Sequence, residues 1–438
     1  MLAVPTATGP IRVLTLDLAD PRVEDASPEQ QLWVVGCRDG VPLTLIEVDR
    51  SPAAPTLDAQ LAALAAAHPA QDASWRAVPD DELPTATVVV PSMVRRLDGL
   101  ETCLASLDAL DYPDYDVVVA DNRSEVPDPD PLAAMLAGRP RFRSVRVPRP
   151  GVAAARQAGT LAATGEVVAM TDDDVRVDRG WLRALGARFA GAPELWACTG
   201  LILPAELETP AQIYFERYYG GFAGERLFAP LTLRTGAGLL GRAQLIARDE
   251  QGREVRRSPL YGVGAYGAGA NMALRRQAVL DVGGFDLALG TGTPAQGGED
   301  LQILIDLLWA GGVVRYEPAA FVHHRHRRGY DELVRQLRAG GTGLTATLAA
   351  LVVRDPRHLA GLAFQVPLAA RRLAGQSLAR IRGRRAGGDR APAEDPLFPP
   401  ELVQQELRGM PTGPLAYLRS RSTMRRWTRA HPQDPTPS

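Results

Sequence analysis

The stretch GVAAARQAGTLAATGEVVAMTDDD, residues 151–174, carries the architecture in miniature. Its first half is a run of small residues that reads as a helix. Its second half, Val167 to Thr171, is a short apolar segment of the length of a buried strand. That strand runs directly into three carboxylates, Asp172, Asp173 and Asp174. Two like charges at about 4 Å repel by roughly 1 kcal/mol in water and several times that near a protein interior. A divalent cation is the obvious means of offsetting the repulsion. Side chains alternate along a strand, so Asp172 and Asp174 are expected on one face. Hard cations such as Mg2+ or Mn2+ take oxygen ligands and leave positions open for substrate phosphates. The plainer reading is that Asp174 or Asp178 caps the helix beginning at GWLRAL, residues 180–185.

The same alternation extends upstream. ATVVVPS (86–92), YDVVVADNRS (115–124) and FRSVRVP (142–148) read as strands, and LDGLETCLASLDAL (97–110) and DPLAAMLAG (130–138) as helices. Strand and helix at this short spacing predict an open, mostly parallel α/β sheet. Ligands of such sheets bind outside the carboxyl ends of the strands. Pro91–Ser92, Asp121 to Ser124 and Asp172 to Asp174 all fall at that edge.

Downstream, WACTGLILP (196–204) and GAGANMALRR (267–276) read as strands around a glycine-rich region. GGEDLQILIDLLWAGG (297–312) reads as a helix with Leu301, Leu304, Ile305 and Leu308 on one face. Glu299 and Asp300 open it, where the helix dipole favours carboxylates. They are either simple end charges or a general base held in place. FVHHRHRRGY (321–330) holds His323, His324 and His326, half of the six histidines. If the segment is extended, His324 and His326 share a face, and neutral imidazole is a common metal ligand. With the arginines it equally suits a diphosphate, or a solvated basic loop. Residues 1–83 form a separate unit: a hairpin, QLWVVGCRDGVPLTLIEVD (31–49), turning at Asp39–Gly40, then a helix, TLDAQLAALAAAH (56–68). Residues 331–379 read as helical with breaks at Pro356 and Pro367, 382–400 as a linker, and the last forty residues as weakly ordered. The expected units are thus 1–83, 84–345 and 346–438.

Composition narrows the classes. Hydrophobic residues make up 45% and charged residues 23%, with a net charge of −2, so nucleic acid is not an expected partner. All 49 basic residues are arginine, which discounts any single arginine as a signal. Cys37, Cys103 and Cys198 lie far apart and read as buried thiols rather than disulfides or zinc ligands. The first twenty residues lack the regions of a secretory signal, and no run reaches the ~18 apolar residues of a membrane span. The expectation is a cytoplasmic protein. Peripheral contact with the inner face of the membrane, through arginine-flanked apolar segments of 344–380, is the open alternative.

Six motifs in order, TVVVPSMVRR, VVVADNRS, GVAAARQAGTLAATGEVVAMTDDDV, GANMALRRQAVLDVGGFD, GGEDLQILIDLLWAGG and FVHHRHRR, resemble those of family 2 glycosyltransferases over about residues 85–345. The resemblance implies a GT-A fold, with a nucleotide-binding sheet joined to an acceptor-binding half. It implies inverting transfer of a sugar from a nucleotide-diphosphate donor to a glycan, lipid-linked or small-molecule acceptor, with a divalent metal (Mg2+ or Mn2+). By position, it assigns Pro91 and Asp121 to nucleotide contacts and Arg156 to the base or phosphate. Asp172 and Asp173 fall near the donor, with Asp172 toward the ribose; Asp174 is the direct metal ligand, with Asp172 beside it. Asp300 is the catalytic base with Glu299 its neighbour, and His324, His326 and Arg327 form the late diphosphate- or metal-contacting loop. Gln157 stands where the family often has Asn, and Val94 precedes Arg95 where a polar residue is common. A nucleotidyltransferase would use a similar sheet and acids but a glycine-rich loop after the first strand, which VVVPSMVRRLDG lacks. A non-catalytic nucleotide- or carbohydrate-binding protein is the third reading.

Overall fold

A computed structural model describes residues 9–23, 31–49, 54–69, 73–222, 226–365, 374 and 400–432. The first unit is a three-stranded sheet of β1 (Ile11–Asp17), β2 (Gln31–Arg38) and β3 (Val41–Glu47), with helix α1 (Leu57–Ala67). The hairpin turns at Asp39 and Gly40, both in the left-handed region (φ 49° and 68°), as the twist of a two-residue turn requires. Thr56 caps α1 by accepting from the Ala59 N–H. β1, which no sequence pattern marked, lies parallel to β2.

The main sheet has eleven strands. Its first half holds β4 (Ala86–Ser92), β5 (Tyr115–Asp121), β6 (Phe142–Arg146) and β7 (Val167–Met170), interleaved with α2 (Leu97–Asp108), α3 (Pro131–Leu136) and α4 (Val152–Ala162). These four strands are parallel, in the order β7-β4-β5-β6. β8 (Val175–Val177) and α5 (Trp181–Phe189) lead to β9 (Leu195–Pro204) and α6 (Pro210–Tyr219). Then come β10 (Leu231–Thr235), α7 (Gly238–Arg242), β11 (Gln244–Arg248), β12 (Glu254–Pro259), β13 (Met272–Arg275), α8 (Arg276–Asp281), α9 (Glu299–Trp309) and β14 (Val313–His324). In this second half only β9 and β14 are parallel neighbours. β13 is antiparallel to both β7 and β9, and β10, β11 and β12 form an antiparallel edge. The parallel register therefore holds for the first half and gives way to mixed pairing beyond β7.

The continuous valines of β4 and β5 follow from burial on both faces. Val88, Val90, Val117 and Val119 pack with Leu100, Leu104 and Leu107 of α2. Val89 and Val118 face the opposite core with Ile303, Leu304 and Leu307 of α9.

The first unit docks on β9 and β14. Val35 and Cys37 join Leu201, Leu203 and Phe321 in one apolar cluster, and Thr15 Oγ1 lies 3.1 Å from His323 Nε2. Burial, with the Arg176 charge nearby, pushes His323 down to about 3 from its ordinary 6.5. In that window the unfolded chain binds the proton and the folded chain does not, so stability is lost as pH falls from 6.5 toward 3, by about 1.4 kcal/mol per pH unit. His323→Gln should flatten this acid limb in melting temperature measured against pH. An unchanged limb would assign it to other groups.

The chain then enters α10 (Tyr330–Arg354), a 25-residue helix that runs through the boundary expected at 345/346. It stops before Pro356, as expected, and residues 358–365 are again helical; Pro367 and the linker over 382–399 lie outside the described residues. Where weak order was expected, α11 (Pro400–Gly409) and α12 (Gly413–Ala430) are helices packed on α10. Their apolar residues are spaced by arginines, which hides the periodicity, yet Leu402, Val403, Tyr417 and Met424 are buried. Among the described residues no helix is long and apolar enough to cross a membrane.

Candidate active site

Parallel pairing brings the carboxyl ends of β4, β5 and β7 together. Ser92 is the register partner of Asp121, and the Thr171 N–H donates to Val89 O. The three aspartates lie beyond this edge in a turn rather than in the strand, closed by the Val175 N–H on Asp172 O at 3.2 Å. A turn lets all three point differently. Asp173 goes into the protein, accepting from Ser92 Oγ at 2.6 Å. Burial, helped by the Asp174 and Asp172 charges against the Ser92 hydrogen bond, pushes it up to about 6. The same Ser92 Oγ accepts from the Val94 N–H at 2.9 Å and holds Val94 at φ 53°, a costly conformation for a β-branched residue.

Asp172 and Asp174 converge with His324, their ligand atoms within 4.8 Å of one another. The cause is register: β8 and β14 pair antiparallel with His324 opposite Val175, next to Asp174. His324 Nε2 is 3.4 Å from Asp174 Oδ1. Its Nδ1 is buried with no hydrogen-bond partner among the described residues. Burial holds the imidazole below its ordinary pKa despite Asp174, which favours the neutral form that binds a metal. Two carboxylate oxygens and a neutral imidazole suit a divalent cation. Arg96 and Arg327, both half-exposed, stand 3.6 and 4.0 Å from Asp174 Oδ2.

Arg156 is 3% exposed. One guanidinium nitrogen donates to Asp172 Oδ1 at 2.7 Å and another to Glu299 Oε1. The expected phosphate ligand is thus committed to two carboxylates, and it ties the acidic turn to the start of α9. Gly269 makes this possible, since a Cβ there would sit 2.2 Å from Arg156 Nη1. Burial raises Glu299 to about 7, with Arg156 opposing. Asp300, next to it and less buried, accepts from the Gly269 N–H at 2.9 Å and the Leu301 N–H at 2.8 Å.

The remaining expected residues lie as follows. Pro91 is buried within β4. Asp121 is 2% exposed, and its carboxylate is taken up by Arg123 (2.8 Å) and Arg146 (2.6 Å). Burial alone would raise its pKa, but the two arginines bring it below the usual range. His323 meets the first unit, while His324 and His326 share a face as expected, their rings stacked at 5.5 Å, with His324 at the aspartates and His326 paired with buried Glu216, which also binds Arg226. Glu216 thereby takes up His326 Nε2. Sequence reasoning passed over Arg96, one arginine among 49, and Glu216, whose segment carries no motif.

Residues 87–228 match the model of Glycosyl transferase family 2. A pre-mycofactocin glycosyltransferase of Mycobacterium tuberculosis is 29% identical over 242 residues, 54% of this chain and 44% of its own. A glucosyl-dolichyl phosphate glucuronosyltransferase of Haloferax volcanii is 26% identical over 198 residues, 42% of this chain and 51% of its own. The chain thus spans about half the length of these curated relatives. A mannosyltransferase of Pyrobaculum calidifontis, solved with GDP-Man and Mn2+, aligns over 81% of this chain and 92% of its own at 19% identity and a TM-score of 0.44.

Proposed function

We propose, from the match of residues 87–228 to glycosyl transferase family 2, that the chain is a member of that family and transfers a sugar, with inversion, from a nucleotide-diphosphate donor to an acceptor hydroxyl on a glycan, lipid-linked or small molecule. The observation that carries this reading is Arg156, whose one guanidinium joins Asp172 at the sheet edge to Glu299 beside Asp300. Two acidic centres are thereby held within the span of one guanidinium.

Asp172, Asp174 and His324 would hold the divalent cation, which when bound offsets charge on the departing diphosphate as a Lewis acid. Arg96 and Arg327, near Asp174 and half-exposed, would turn to diphosphate oxygens when a donor enters. Asp300 would take the proton from the attacking hydroxyl. The two backbone N–H groups it accepts from hold its carboxylate in place for that role. Inversion needs a single base on the face opposite the leaving group. Glu299 acts through Arg156, as a positioning residue.

A panel of nucleotide-sugars, with and without chelator, tests the reading. One donor should release its nucleoside diphosphate, faster with Mg2+ or Mn2+, and the transferred sugar should show inverted anomeric configuration by NMR. Release of pyrophosphate would point to nucleotidyl transfer. Nucleotide binding without turnover, across donors and acceptors, would leave a binding protein.

A further inference from the structure

The outward face of α12 is built as a cationic, partly apolar surface. Leu415, Leu418, Ser422, Arg425, Arg426 and Arg429 recur at helical spacing. All are exposed, the two leucines at 53% each. The opposite face is fixed: Tyr417 and Met424 pack with Ala154, Ala155 and Ala158 of α4 and with Ala346 and Ala350 of α10, and the Tyr417 hydroxyl donates to Asp286 at 2.8 Å. The helix contains no acidic residue, although the whole chain is net negative. Between α10, α12 and the loop before α9, Arg335, Arg338, Arg419, Leu415 and Gln296 line a groove of about 600 Å3. Among the described residues none of these arginines, nor Arg425, Arg426 or Arg429, is in an ion pair with a carboxylate. From Leu415 to Arg429 the strip is about 21 Å long.

We infer that this face docks on an anionic lipid bilayer, with the arginines at the headgroups and Leu415 and Leu418 entering the interface. The combination argues for lipid: a polyanion in water gives exposed leucines no reason to sit among arginines, whereas the headgroup boundary accepts both. Charge complementarity supplies the attraction. The segment differs from 344–380, whose described part also exposes Val353, Leu359 and Phe364 but has Arg354 and Arg357 paired with Asp306 and Asp355. The groove includes Gln296, four residues before Asp300, so docking would bring the bilayer beside the loop that leads into α9. The docking stands independently of the transfer reaction.

Cosedimentation of the full chain with vesicles tests this. Mixed phosphatidylglycerol–phosphatidylcholine vesicles should capture the protein and pure phosphatidylcholine should not. Capture should weaken as salt shortens the Debye length. Each arginine at the surface contributes about fivefold, so Arg425→Gln/Arg426→Gln/Arg429→Gln should weaken binding on the order of 100-fold with an unchanged melting temperature. Leu415→Ser/Leu418→Ser should weaken it as well. Equal capture by both vesicle types, capture by neither, or salt-insensitive capture by the wild-type chain would overturn the inference. So would wild-type affinity in the folded arginine variant. Retention of a short RNA under conditions that leave anionic vesicles unbound would reassign the face to nucleic acid and overturn it too.

Discussion

Asp300→Asn is expected to slow sugar transfer by about 10²- to 10⁴-fold while leaving donor affinity nearly unchanged. The amide keeps the size of the carboxylate and one acceptor for the Gly269 or Leu301 N–H groups now bound at 2.9 and 2.8 Å. It cannot take a proton from an incoming hydroxyl. Donor binding should survive because the proposed cation and diphosphate contacts, at Asp172, Asp174, His324, Arg96 and Arg327, lie at the other end of the Arg156 bridge. Single-turnover rates and donor titration by calorimetry separate the two quantities. Transfer at the wild-type rate would remove Asp300 from the base role; equal loss of rate and donor affinity would mean that it binds rather than reacts.

Asp174→Asn has the second large effect, on the cation. In the wild-type chain, adding Mn2+ with nucleoside diphosphate should raise the melting temperature by mass action. Removing a direct ligand should weaken the apparent metal affinity by at least the 10- to 100-fold seen when groups supporting a ligand are lost. The metal-free melting temperature should hold or rise. Three neighbouring carboxylates become two, which relieves the pressure that helps raise Asp173 to about 6. Arg96 and Arg327 lose a partner but are half-exposed, at 39% and 42%, so water replaces it at little cost. A lower metal-free melting temperature with an intact Mn2+ response would make Asp174 a structural residue.

Local pattern made the parallel half of the main sheet readable. β4, β5 and β7 are short apolar runs with polar ends, and their parallel pairing brings those ends to one edge. Strand alternation was the wrong reason for grouping Asp172 with Asp174, since both lie in a turn; their convergence is set by β14, 150 residues later in the chain (His324 against Asp174). The histidine cluster divides in two: His323 faces the first unit, while His324, at the end of β14, and His326, just beyond it, stack together on the other side. Arg156 illustrates the limit of composition: in a chain without lysine an arginine carries little information until its partners, Asp172 and Glu299, are seen. α12 was passed over because its buried positions include Gly413 and Ser420 as well as Tyr417 and Met424, so hydrophobicity alone does not trace its inner face.

The close seat of Gly298 against α10 has a consequence for the limits of the catalytic unit. Gly298 sits at φ 92°, where a Cβ would lie 1.9 Å from Thr347 Oγ1, and that hydroxyl donates to the Gly298 carbonyl at 3.1 Å. The peptide just ahead of Glu299 and Asp300 is therefore braced from behind by a residue beyond position 345. A chain trimmed at 345 would keep every proposed catalytic side chain and lose the splint that aims two of them. The far half of α10 would then serve the proposed machinery as a backing plate, and trimming the protein to its motifs is expected to cost function before it costs any motif.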